Sequence, residues 1–396
     1  MSALLVLDLR YATAHYPGVG SYAVGLAEAL LAARREWPWR VLMPPAGGRF
    51  DLAFVPAAAR DDRTASTPGP VRDQFALGGR LREMNAALYH SPHYLRPWGA
   101  RCPSILTVHD VIPIEHRASM SAPKRALYRW LIGDALRADC VVTDSGTSRD
   151  AIRAAFPRAR RPAPSAPGAA SSRRAEGADA QADPIVVPPG CRVIEGGEPW
   201  AAWSRPAVLT VGINKPHKNL EVLMRALAMI PIERRPLLLC AGPADRRYPD
   251  ARALAGWHGV TDDVVVLGMV PEQRLAALYR SAALFAFPTR LEGFGLPLLE
   301  AMTLGVPAIV SDLPVLREIA GESAWRLSPD DPAAWARAIA TLLDDRARTA
   351  ALADLGRARA AEFSYAAAAR QIVREYEALV PALARGAARP AGAVHA

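Results

Sequence analysis

The sequence is poor in lysine, in clustered cysteine and in long apolar runs, and each shortage excludes something. The four cysteines, Cys102, Cys140, Cys191 and Cys240, are scattered, with no CxxC pair and no Cys/His cluster of metal-ligand spacing. That speaks against a structural metal module and for buried thiols in a reducing compartment. No apolar run approaches the roughly 18 to 20 uncharged residues that span a bilayer. The stretch Met1 to Asp8 becomes charged almost at once, so it reads as a first β-strand and not as a signal peptide. A cytoplasmic location is expected. Lysine occurs only at Lys124, Lys215 and Lys218, so the 48 basic side chains are almost all arginine.

With 396 residues, 51% of them hydrophobic, the chain is long enough for two ordinary α/β domains, each with its own core. The formal charge of +9 overstates the basicity of the folded part, because Arg158, Arg160, Arg161, Arg173 and Arg174 sit in one low-complexity stretch. The charge does not demand a nucleic acid partner, and none is expected. Peripheral contact with an anionic membrane, at its inner face, fits the balance as well.

Short apolar strands alternate with amphipathic helices, the pattern of doubly wound parallel sheets. In the first half strands are expected at Leu4 to Leu9, Ile105 to His109, Cys140 to Thr143 and Ile185 to Val187, with helices at Ser21 to Ala33, Pro123 to Leu136 and Ser148 to Phe156. From Pro206 the alternation restarts with a strand at Val208 to Val211 and runs through a helix at Pro332 to Leu343. The expected division is a first domain over 1–194, a second over 206–363, a helix over 364–385 packing back toward the first domain, and a flexible tail over 386–396. The linker is EGGEPWAAWSR, where Gly, Pro and two tryptophans break the periodicity. Pro157 to Asp183, rich in Pro, Ala, Arg and Ser, reads as a disordered surface insertion.

Chemistry concentrates in a few turns. EGFGLPLLE, residues 292 to 300, lies between a strand and a helix. Gly293 and Gly295 let backbone amides approach a ligand, and Pro297 suits a first helical turn, so the loop offers N–H groups at a positive helix end. Glu292 and Glu300 flank this cradle as hydrogen-bond acceptors suited to vicinal hydroxyls. The plain alternative is a capped loop with two solvated glutamates, but a second acid at this spacing favours a site. INKPHKNL, residues 213 to 220, holds two of the three lysines in a chain that otherwise uses arginine. Lys218 is a candidate for a diphosphate contacted as a point charge, and Lys215 reads either as a second such contact or as a turn residue before Pro216. Gly18 and Gly20 form a weaker glycine turn between the first strand and helix. His109 and Asp110 stand at the carboxyl end of a strand, where ligands of parallel sheets gather, whereas Tyr89, His90 and His93 read as packing.

These residues resemble the retaining family 4 glycosyltransferases of GT-B fold, in their mannosyltransferase-like branch of bacterial polysaccharide synthesis. EGFGLPLLE is similar to that family's two-glutamate signature, INKPHKNL to its diphosphate loop, GVGSY at 18 to 22 to its glycine loop, and LTVHDVIP at 106 to 113 to its histidine motif. VVTDSGTSRDAI at 141 to 152, VVPPG at 186 to 190 and VLGMVPEQRLAALYRSA at 266 to 282 extend the likeness over nearly the whole chain. The resemblance implies two Rossmann-like domains with a nucleotide-sugar cleft between them. It implies that Glu292 and the amides of Phe294, Gly295 and Leu296 hold sugar hydroxyls, Glu300 the ribose and Lys218 the diphosphate. It sets His109 by the transferred sugar, with Gly18 and Gly20 near the phosphates and the backbone around Met269 at the base. Ile213 departs from the arginine many members carry directly after the preceding glycine, which leaves neutralisation to Lys218 with help from Lys215.

The resemblance further implies transfer of a hexose, mannose from GDP-mannose first, to a glycan or lipid-linked glycan with retention of configuration. No acidic metal motif stands near the site, so no metal and no resident cofactor are expected. A dTDP-rhamnose or UDP-hexose donor stays open, as does a non-catalytic nucleotide-sugar-binding protein.

Overall fold

The computed structural model describes residues 3–13, 17–45, 50–62, 72–116, 121–158, 160–166, 180–192, 200 and 202–386. The chain divides into two compact units, one of residues 1–190 with 364–396 and the other of residues 191–363.

The first unit is built on β1 (Leu5–Asp8), β2 (Trp39–Leu42), β3 (Arg60–Asp61), β4 (Leu88–Ser91), β5 (Ser104–Thr107), β6 (Cys140–Thr143), β7 (Arg160–Arg161), β8 (Gln181–Ala182) and β9 (Ile185–Val186). Seven of these make one parallel sheet in the order β3-β2-β1-β4-β5-β6-β9, and β7 pairs with β8. Strand side chains alternate between faces. Leu5 and Leu7 therefore enter one core with Leu26, Leu30, Trp37, Ile372 and Tyr376, while Val6 enters the other with Leu77, Tyr89, Leu106, Ile132 and Ile152. The first core is closed by the helix Tyr365–Leu379, whose Ala368, Ala369, Ile372, Val373 and Tyr376 are buried in it. That helix and Pro381–Gly386 replace the single helix expected over 364–385, because Pro381 has no N–H to continue the ladder.

Two expectations for this unit are corrected. The first helix runs Pro17–Ala33, so Gly18 and Gly20 belong to its opening turn and not to a loop. An added Cβ on Gly20 would lie 2.3 Å from the Phe50 ring, which makes this glycine a packing residue, whereas Gly18 faces open space. The segment 157–183 is ordered at both ends: β7 and β8 pair, Asp183 takes a two-pronged bond from Arg153, and Ser165 N–H donates to Glu375 at 3.0 Å. Ala180 and Ala182 are buried, so these ends bury apolar surface that composition alone concealed. Residues 167–179 and 387–396 lie outside the described residues, as does most of the linker.

The second unit carries β10 (Ala207–Val211), β11 (Leu237–Ala241), β12 (Val264–Gly268), β13 (Leu284–Phe287), β14 (Ala308–Ser311) and β15 (Ala324–Leu327) in the parallel order β12-β11-β10-β13-β14-β15. Trp203 donates to Ser281 Oγ at 3.0 Å and Arg274 lies over the Trp200 ring, so the tryptophans read as linker pack onto this unit. In both sheets the strand order reverses direction beside the first strand, between β1 and β4 and between β10 and β13. Loops leaving the carboxyl ends of such a strand pair border the crevice where open α/β sheets bind ligands.

Candidate functional site

In the second unit the two loops at that reversal carry the charged motif residues. The loop after β10 ends in a short turn, Pro216–Lys218, and then the helix Leu220–Met229. Asn219 joins them with φ of 55°, a left-handed conformation that asparagine tolerates better than most residues. Its buried amide donates to the carbonyls of Pro288 (3.0 Å) and Pro329 (2.8 Å), which offsets the backbone cost. Arg290 N–H donates to His217 O at 2.7 Å, and the Arg290 guanidinium donates to Asn219 Oδ1 and to Asp330. The loop after β13 is thus fastened to the loop after β10 by backbone and side chain alike.

Across this seam Lys218 Nζ donates to Glu292 Oε2 at 2.6 Å, both side chains being about one-sixth exposed at 17% and 15%. The ammonium also lies 5.2 Å from the centre of the Phe287 ring, an additional cation–π contact. Gly295, at φ of 111°, turns the chain into the helix Leu296–Thr303, with Pro297 in its first turn. The Phe294 side chain is buried and meets Phe363 edge-on, which anchors the loop while leaving the backbone of Gly293 to Leu296 at the sheet end. One turn into the helix, Glu300 Oε2 accepts from the Tyr279 hydroxyl at 2.7 Å. Burial, and then the Glu300 charge, hold that phenol well above its ordinary pKa, so it remains a donor. Burial, and then Glu300, also push the Cys191 thiol up to about 12.

Glycine shapes the neighbouring strand ends. A Cβ on Gly242 would lie 2.1 Å from Gly212 O, and Gly242 N–H donates to Gly268 O at 2.7 Å. Met269 follows at the end of β12, 44% exposed. Lys215 precedes the Pro216 turn, with Asp245 facing it.

The other candidates belong to the first unit. His109, after β5, has both ring nitrogens engaged: Nδ1 with Asp144 Oδ2 at 2.7 Å and Nε2 with Pro92 O at 3.0 Å. Both partners accept, so the geometry suits an imidazolium donating twice. Burial works against that charge, but Asp144 and the Pro92 carbonyl outweigh it and raise the pKa. Tyr22 stands edge-on to the imidazole. His93, stacked on Tyr11 at 3.9 Å, is driven the other way, by burial first and then by His109. Asp110 accepts from Ile112 N–H at 3.0 Å, a local role in opening the helix Ile112–Glu115. Sequence reading missed Asp144, Arg290 and the buried group Asp8–Arg10–Tyr89, in which Arg10 grips Asp8 with two bonds and Tyr89 donates to it at 2.7 Å. Asp8 and Asp144 each stand at or directly after a strand's carboxyl end, the same signal that singled out His109.

Among the described residues no group of three or more His, Cys, Asp or Glu is placed to hold a metal ion. No described helix is long and apolar enough to cross a membrane.

Residues 205–345, which hold both loops of the Lys218–Glu292 seam, match the profile of the family described as Glycosyl transferases group 1. This stretch is a group 1 glycosyl transferase domain. The chain is 35% identical over 193 residues to O-antigen chain mannosyltransferase B of Escherichia coli, covering 45% of this chain and 47% of the relative. It is 36% identical over 179 residues to D-inositol 3-phosphate glycosyltransferase of Corynebacterium efficiens, covering 43% and 42%. The chain thus spans about half the length of the curated relatives it matches. Over nearly the whole chain the likeness is one of fold. Sucrose-phosphate synthase from Thermosynechococcus elongatus superposes with a TM-score of 0.71 at 22% identity, over 96% of this chain and 99% of that one. WaaG, a glycosyltransferase involved in lipopolysaccharide biosynthesis, gives 0.63 at 17% identity, over 94% and 98%. The two Rossmann-like halves are those of the GT-B architecture.

Proposed function

We propose that this chain is a retaining glycosyltransferase. It moves mannose from GDP-mannose to a hydroxyl of a glycan or lipid-linked glycan in cell-surface polysaccharide synthesis, in the cytoplasm and at the inner face of the membrane, without a metal ion. The observation that carries the reading is the Lys218–Glu292 pair at the sheet reversal of the group 1 domain. Donor binding exchanges that pair for substrate contacts. The Lys218 ammonium turns to the diphosphate, and the freed Glu292 carboxylate accepts from sugar hydroxyls. Glu300, which accepts from Tyr279, takes the ribose hydroxyls. The acceptor oxygen attacks the anomeric carbon as its bond to the phosphate oxygen breaks, and the leaving phosphate takes the acceptor proton. Catalysis is then positioning plus electrostatic support of the departing nucleoside diphosphate by Lys218 and loop amides.

The names of O-antigen chain mannosyltransferase B and of serotype-specific mannosyltransferase WbdA support mannose as the sugar. A second donor reading, a UDP-hexose, draws on a fold neighbour, HepE from Anabaena, solved in complex with UDP-glucose. Calorimetric titration with GDP, UDP and dTDP, then product analysis with the matching donors, separates them. Tighter GDP binding and an α-mannoside are expected. Tighter binding of UDP or dTDP would overturn the donor, and a β-linked product the retaining mechanism.

A further inference from the structure

The first unit exposes a cluster of large apolar side chains that its fold leaves unused. The helix Ala122–Ala135 buries Leu131, Ile132 and Ala135 and turns Leu127 and Trp130 outward, 42% and 53% exposed. These two lie one turn apart, so they share a face. The Trp130 ring meets Trp98 at 5.5 Å, and Trp98 meets Phe75 at 4.9 Å, Phe75 being 64% exposed on the helix Arg72–Glu83. An apolar strip therefore runs from one helix across a loop to another. Such strips on a folded unit mark interaction surfaces.

The charge around the strip selects the partner. The outward helix reads APKRALYRWL before its first acid, with Lys124, Arg125 and Arg129 among those residues. Arg129 is held by the Ala155 carbonyl and the Phe156 ring, neither of which neutralises it. The acid that follows, Asp134, is already taken by Arg96 at 2.7 Å and by the Trp98 indole N–H at 2.7 Å. What faces outward is aromatic and aliphatic surface with positive charge beside it. Tryptophan, leucine and arginine in that arrangement match the interface of an anionic bilayer, where the rings enter the headgroup layer and the bases meet lipid phosphate. A neutral glycan would gain nothing from the bases, and Leu127 has no ring to stack on it.

We infer that Phe75, Leu127 and Trp130, flanked by Lys124 and Arg129, form a docking surface for an anionic lipid bilayer. The surface gives a structural basis to the membrane side of the reading above, and it does not depend on the donor. The test is flotation of the full chain with vesicles of phosphatidylcholine plus phosphatidylglycerol, compared with phosphatidylcholine alone. Wild type should float with the anionic vesicles and release as salt rises. The triple variant Phe75→Ser, Leu127→Ser, Trp130→Ser should partition about tenfold less, and Lys124→Glu with Arg129→Gln should lose the preference for anionic lipid. Both variants should keep the wild-type melting temperature and nucleotide affinity in vesicle-free solution, which separates failure here from failure of the donor reading. Absence of wild-type flotation, or equal flotation of the triple variant, would overturn the inference. So would a vesicle-free wild-type dimer that the triple variant makes monomeric, since the strip would then bind a second copy.

Discussion

At the scale of single residues, the site rests on charges that are paired before any ligand arrives. Lys218 and Glu292 neutralise each other across two loops, so removing one leaves the other with no counter-charge. Lys218→Ala should lower turnover by about 100-fold, the usual effect of losing a group that stabilises developing negative charge. Its melting temperature should move little, because the pair is partly solvated and the loops are fastened independently through Asn219 and Arg290. Steady-state kinetics beside thermal melting checks this, and near wild-type turnover would remove Lys218 from the mechanism. His109 and Asp144 make a second residue-scale case. The folded pKa of His109 is raised, so its pairing stabilises the fold fully below the unfolded value of about 6.5 and loses that contribution as pH rises through the folded value. The melting-temperature gap between wild type and Asp144→Asn should therefore narrow with rising pH. His90 has the opposite sign, since burial lowers it to about 3, and its contribution is lost on the acid side. It is present in both proteins and cancels from the gap.

At the scale of elements, glycines record how closely helices approach. Gly25 lies in the first helix where a Cβ would come 2.2 Å from the Tyr365 ring, and a Cβ on Gly190 would come 2.2 Å from the Tyr365 backbone nitrogen. Gly25→Ala should therefore destabilise the first unit by about 1–3 kcal/mol despite its better helix propensity. Gly18→Ala, in the same helix but facing open space, should stabilise it by about 0.5–1 kcal/mol. Urea denaturation of both variants checks the pair, and equal effects would show that propensity outweighs packing here. The strands legible in the sequence were those that are mostly apolar and buried, such as Val208 to Val211 and Cys140 to Thr143. β2 and β4 escaped because Arg40, His90 and Ser91 interrupt the apolar run, although His90 and Ser91 are fully buried. The glycine and lysine motifs of the second unit were legible because their chemistry is local to one turn. The Lys218–Glu292 contact and the His109–Asp144 bond were not, because each joins residues 35 or more positions apart, and only the sheet order brings them together.

At the scale of the whole molecule, the second unit is an insertion within the first, which closes only when residues 364–386 return to it. A fragment of residues 191–363 should fold alone and melt cooperatively. A fragment of residues 1–190 should not, because Leu26, Leu30, Trp37 and Trp39 would lose the cover of Ile372 and Tyr376. Circular dichroism melts of the two fragments check this, and a stable 1–190 would show the helix Tyr365–Leu379 to be dispensable. The same return of the chain governs birth on the ribosome. Domains usually complete in the order in which they are synthesised, but here the unit begun first cannot finish until the helix Tyr365–Leu379, coded after the whole of the second unit, has been made. The unit made second can mature first, while the earlier one waits with an open apolar face, in need of a chaperone's cover until that helix follows.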